Sequence, residues 1–91
     1  MIKSIMSLRI RLRRNNKAHN PHYQIVVIDS RKKREGEYIE KLGHYDPLKK
    51  EMPKFVIDMD RINYWVSVGA QPSERVQKFI TIAITGVHHN I

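Results

Sequence analysis

The chain has 91 residues, no cysteine, and 17 Lys and Arg against 9 Asp and Glu, a formal net charge of +8. That length allows one small domain with a thin core, and without cysteine neither a disulfide framework nor a thiolate metal site can hold it together. No apolar run approaches the roughly 20 residues that span a bilayer, and the opening MIKSIM is too short to read as a secretory signal.

In chain order, the first element is LRIRLRR, where Leu8, Ile10 and Leu12 alternate with Arg9, Arg11 and Arg13. A period of two puts the apolar side chains on one sheet face and the guanidiniums on the other. Same-face neighbours on a strand lie about 7 Å apart, a spacing comparable to that of phosphates along a nucleic-acid strand, and the planar fork of arginine grips phosphate with two hydrogen bonds. Asn15 to His22 is polar, carries Pro21 and shows no apolar period, so it reads as a loop whose Lys17 extends the basic surface. His19 and His22 have no acid or cysteine beside them in that loop to complete a metal site.

Tyr23 to Ile28, YQIVVI, is a β-branched run with the character of a largely buried strand. Four consecutive cations follow, Arg31, Lys32, Lys33 and Arg34, with Gly36 behind them, which is loop rather than core material. Tyr38, Ile39, Leu42 and Tyr45 then mix with charged residues in a further strand, interrupted by Gly43 as a bulge or a close backbone approach would interrupt it. After Asp46-Pro47, the connector LKKEMPK carries Lys49 and Lys50, and Phe55 to Ile57 is long enough for a last short strand.

Asp58 or Asp60 can cap a helix whose stripe is Ile62, Trp65, Val66 and Gly69, with Gly69 as its stop and Trp65 as the largest core anchor. Pro72 or Ser73 opens a second helix with the stripe Val76, Phe79, Ile80 and Ala83, and the β-branched TIAITG predicts its end near Thr81. The expected fold class is therefore α+β: a single small domain, a sheet of about four strands and two C-terminal helices packed on it.

The charge is distributed unevenly. Residues 1–50 hold 13 cations and 5 anions, whereas residues 51–91 hold 4 and 4. An excess confined to one region suits a polyanion-binding face, because each phosphate neutralised releases counterions; solubility alone gives no reason for the balanced second half. The cations sit on strands and loops, so no helix presents the basic residues of a major-groove reader, and folded RNA, read by shape, suits sheet and loop surfaces better than DNA. Tyr23, Tyr38, His44 and Tyr45 supply aromatics beside the cations. No phosphate-cradling glycine loop, G-x-S-x-G elbow, H-E-x-x-H motif or cysteine nucleophile is present. A metal-dependent nuclease using Asp46, Asp58 or Asp60 and a free-standing RNA or DNA chaperone are the competing readings.

Four segments together resemble the small-subunit ribosomal protein 16 family of bacteria and organelles: IRLRR at Ile10 to Arg14, YQIVVIDSR at Tyr23 to Arg31, REGEYIEKLGHYDPL at Arg34 to Leu48, and DRINYWVSVGAQPSERV at Asp60 to Val76. The resemblance implies a compact α+β domain with a mixed sheet, held among small-subunit rRNA helices beside neighbouring ribosomal proteins, structural in role, with no catalysis, cofactor, membrane or small-molecule substrate. Matched residue by residue, it adds Arg14, Arg31, Arg34 and Tyr45 to the RNA contacts expected from Arg9, Arg11, Arg13, Lys17, Lys32, Lys33, Lys49 and Lys50. The expected divisions are an N-terminal extension over 1–7, the ribosomal domain over 8–82 and a tail over 83–91. Met1 to Met6 precedes the family's usual start, and the tail does not resemble it. DRINYW is similar to organellar members, so the expected location is the small ribosomal subunit in a mitochondrial matrix or a bacterial cytoplasm, the organelle being favoured.

Overall fold

The computed structural model of the chain describes residues 7–15, 22–31, 38–51 and 54–86. β1 (Leu8–Asn15), β2 (His22–Asp29), β3 (Glu40–Tyr45) and β4 (Phe55–Ile57) form antiparallel neighbours, followed by α1 (Met59–Ser67), β5 (Gln71–Pro72) and α2 (Glu74–Thr85). The two-residue β5 lies parallel to β1 on its outer edge, giving a five-stranded mixed sheet in the order β4-β3-β2-β1-β5. The α+β architecture with two C-terminal helices is thus present, with one short strand more than the sequence predicts.

The core lies on one face of the sheet. Leu8 and Ile10 from β1, Ile25 and Val27 from β2, and Leu42, Tyr45 and Phe55 from β3 and β4 pack against Ile62 of α1 and Val76, Phe79, Ile80 and Ile82 of α2. Phe79 is its centre, with its ring 4.6 Å from that of Phe55 and 4.9 Å from that of Tyr45. Burying aromatic pairs in this way is how a short chain extracts most stability from few residues.

The helix ends follow local chemistry. Asp58 caps α1, its Oδ1 accepting the Arg61 N–H at 3.2 Å, and Ser73 caps α2, its Oγ accepting from Val76. At the end of α1, Ala70 N–H donates to Trp65 O and Gly69 N–H to Val66 O, a Schellman closure that requires the positive φ of Gly69.

Two stripes differ from expectation. In α1 the inward residues are Met59, Ile62, Trp65 and Val68, while Val66 is exposed; Trp65 itself is only half-buried. In α2, Ile82 takes the inward place and Ala83 faces out. The helix also runs four residues beyond Thr81. Burial of Ile82 compensates for weak helix propensity, the Thr81 and Thr85 hydroxyls bond back to Gln77 O and Thr81 O, and Gly86 in the left-handed region closes the last turn.

A bulge in β3 decides what the sheet shows to solvent. Val26 pairs with Lys41 and Ile25 with Gly43, so Leu42 is an extra residue between them. One inserted residue inverts the alternation beyond it. Tyr45, expected among the RNA contacts, is therefore turned into the core at 5 % exposure, and His44 is turned out. Gly43 is required at this point, since a Cβ there would overlap the carbonyl oxygen of Val56 on β4.

Candidate nucleic-acid interface

Among the described residues, the opposite face of the sheet carries no helix. Residues paired in register share a face, and the pairing defines three cross-strand rows: Arg9 with Ile28; Arg11 with Val26 and Lys41; and Arg13 with Gln24, His44 and Val56. Polar and cationic residues dominate, but the face is not uniformly wet. Val26 is fully buried on it, between Arg11 and Lys41 in register.

The three strand arginines differ in how firmly they are held. Arg11 is exposed, with no ion pair among the described residues. Arg9 is half-buried and donates from Nη1 to the Leu8 carbonyl at 3.2 Å. Arg13 donates from Nη1 to Gln24 Oε1 at 3.0 Å, and its guanidinium carbon lies 5.6 Å from the centre of the Tyr38 ring. Thus Arg11 presents an exposed cation, whereas Arg13 presents a guanidinium fixed from two sides.

The other expected cations lie around the rim. Arg14 is exposed at the end of β1 beside Tyr23, the same end of the sheet as Tyr45 and the turn that follows it. That turn is set by Asp46, whose Oδ1 accepts from Leu48 N–H at 3.1 Å and whose N–H donates to Lys54 O, and it leaves Lys49 and Lys50 exposed. Arg31 stands at the other end, beside the start of β1, where Ser30 N–H donates to Ser7 O. Its Nη2 and Nε bond the Asp29 carboxylate at 2.9 and 3.1 Å. Those bonds and the Arg31 amide hold the Asp29 carboxyl far below the usual carboxylate range and raise the affinity of the guanidinium for its proton. Arg31 is exposed, yet part of its fork is already engaged. Lys17, Lys32, Lys33 and Arg34, expected in the same interface, lie outside the described residues, as do His19, His88 and His89. Arg13, Arg11 and Arg9 thus follow one another along the open face, with Arg31 toward one end of the strands and the Lys49–Lys50 turn toward the other, where Arg14 shares the core-side row of Tyr23 and Tyr45.

Two residues of this face, Gln24 and Lys41, are absent from the expected set, and both lie in the arginine rows. Tyr38, expected as an aromatic beside the cations, has its ring next to the Arg13 guanidinium. Gln24 follows from Arg13 once the β1–β2 register is known, and Lys41 from Arg11 through Val26. The helical side is held differently. Glu40 accepts from Arg61 Nε and Nη2 at 2.8 Å and from Trp65 Nε1 at 3.0 Å, tying α1 to β3. The Arg61 hydrogen bonds, then that of Trp65, keep the Glu40 carboxyl below its ordinary value.

The acidic candidates for metal chemistry all have structural duties. Asp46 sets a turn, Asp58 caps α1, and Asp60 sits in that helix's first turn. Among the described residues no group of three or more potential ligands converges, and no helix is long and apolar enough to cross a membrane.

Residues 14–73 match the ribosomal protein S16 family. The chain is similar to a small ribosomal subunit protein bS16 of Deinococcus radiodurans, 49 % identical over 73 residues that cover 80 % of this chain and 87 % of the relative. The bS16 of Thermus thermophilus is 47 % identical over 76 residues, 80 % of this chain and 84 % of the relative. That of Ehrlichia ruminantium is 52 % identical over 77 residues, 82 % and 88 %. The family match runs from the end of β1 through β5, and with these relatives it shows that the chain belongs to the ribosomal protein S16 family, a family of structural, non-enzymatic components.

Proposed function

We propose that the protein is a structural constituent of the small ribosomal subunit that binds small-subunit rRNA with the helix-free face of its sheet. The observation that carries this reading is the placement of Arg9, Arg11, Arg13, Gln24, Lys41 and His44 on one face while the apolar cluster that packs on the helices lies on the other. Cations on such a face neutralise phosphates and lower the cost of packing one RNA helix against another. Arg14, Lys49, Lys50 and Arg31 extend the grip at both ends of the sheet, and neighbouring ribosomal proteins complete the surroundings. The binding unit runs from Leu8 through α2. Stabilising rRNA during assembly and translation requires rigidity, which the Glu40–Arg61–Trp65 tie and the aromatic core supply. The location is that of the small subunit itself. The reported relatives are bacterial, so the organellar preference drawn from DRINYW gains no support from them.

The test is titration of the full chain with small-subunit rRNA at several salt concentrations. Arg11→Ala is expected to weaken binding and reduce the salt slope by about 1, with unchanged circular dichroism. An unchanged slope and affinity would remove the open face from the interface.

A further inference from the structure

The third cross-strand row differs from the other two. Arg13, Gln24, His44 and Val56 lie side by side on β1, β2, β3 and β4, spanning about 14 Å at ordinary strand spacing. Val56 is 52 % exposed on this face although Phe55 and Ile57, its neighbours in β4, pack on the core side. His44 is exposed beside it, and the Tyr38 ring, 39 % exposed, lies near the fixed Arg13 guanidinium.

A phosphate gains nothing from an exposed valine or from an aromatic face. A nucleobase does, because its flat surface stacks on aromatic rings, guanidinium planes and apolar side chains while its edges take hydrogen bonds. Gln24 supplies the edge chemistry. Its Oε1 is occupied by Arg13, so its amide nitrogen remains as donor. His44 adds a ring that both stacks and hydrogen-bonds. Arg11 and Lys41, one row away, are placed to hold the backbone of the same strand.

On the reading that the open face holds RNA, we infer that the Arg13–Gln24–His44–Val56 row is a subsite for an unpaired RNA base, with the Arg9 and Arg11 rows holding the adjoining phosphates. The protein would then select RNA with a base turned out of its helix over a continuous duplex. The face is divided by chemistry, with backbone grip at one end and base contact at the other.

The experiment compares three probes against the full chain: a single-stranded oligoribonucleotide, the same oligomer with abasic positions, and a continuous RNA duplex. Base stacking contributes about fivefold or more per base, so the base-bearing strand is expected to bind at least about fivefold tighter than its abasic counterpart. The double variant Gln24→Ala, His44→Ala should lose affinity for the base-bearing strand preferentially and bring that ratio close to one. Arg11→Ala should weaken base-bearing and abasic strands by the same factor. Equal binding of base-bearing and abasic strands by the wild type, or equal losses on both in the double variant, would overturn the base subsite. Failure of Arg11→Ala to weaken either probe would instead overturn the RNA-binding reading on which the subsite rests.

Discussion

Replacing Phe79 tests which aromatic anchors this small core. Phe79 is fully buried and touches the rings of Phe55 and Tyr45, at 4.6 and 4.9 Å between centroids. Truncation to alanine removes its transfer free energy and leaves a cavity beside Phe55 and Tyr45, a loss of about 3–5 kcal/mol that already includes the ring pairs. A domain of this size is ordinarily stable by about 5–14 kcal/mol, so that loss is a large fraction of the whole. Trp65, the larger residue, is half-buried and linked to Glu40 by one 3.0 Å hydrogen bond. Trp65→Ala should therefore cost less, about 1–3 kcal/mol. Phe79→Leu keeps much of the volume and loses the ring pairs, about 1–2 kcal/mol, and remains folded if the alanine variant does not. Urea denaturation followed by far-ultraviolet circular dichroism ranks the variants without depending on the tryptophan signal. A Trp65→Ala loss equal to or larger than that of Phe79→Ala, or a neutral Phe79→Leu, would refute the assignment of Phe79 as the centre of the core.

Gly43→Ala should lower stability by about 1–3 kcal/mol through overlap with the Val56 carbonyl; a thermal midpoint at the wild-type value would show that β3 and β4 are not so close. The pH dependence follows from Glu40, whose folded-state carboxyl titrates below its ordinary value because Arg61 and then Trp65 bond it. A depressed carboxyl stabilises the fold fully above the unfolded value of about 4.3 and loses that contribution as pH falls through the lower folded value. Asp29, held down by Arg31, acts in the same direction at still lower pH. Stability should therefore fall as pH drops below about 4.3, and Glu40→Gln should flatten that part of the profile; an unchanged slope in urea midpoints measured across that range would count against the Glu40 tie.

The alternation of β1 was legible because its two residue classes differ so sharply. Leu8 and Ile10 had to be buried and three arginines could not be. The short strand β4, the Asp58 or Asp60 cap and the Gly69 stop were equally plain, since each depends on neighbours within a few residues. The fate of Tyr45 was not. It depends on Leu42 being inserted into the β2–β3 ladder, which is a property of the pairing and not of β3 alone. The same bulge places His44 on the arginine face. In the helices, the amphipathic period is plain in the sequence but the exact facing is not: the period points Val66 and Ala83 inward, where Val68 and Ile82 are. Packing against a sheet decides such a choice. The two-residue β5 carries no strand signature at all; Pro72 joins it only because Ser73 N–H donates to Ile10 O and fixes the entry to α2 beside β1.

The most direct test of the central reading is sedimentation of native extract through sucrose gradients at moderate and high salt, following the wild-type chain and an Arg9→Ala, Arg11→Ala variant against small-subunit rRNA. The expected result is that the wild type co-migrates with the small subunit at both salt concentrations, while the variant, still folded, is released at high salt. Migration of the wild type as a free small protein would contradict a built-in role in the subunit, and retention of the variant at high salt would contradict the open face as its means of attachment.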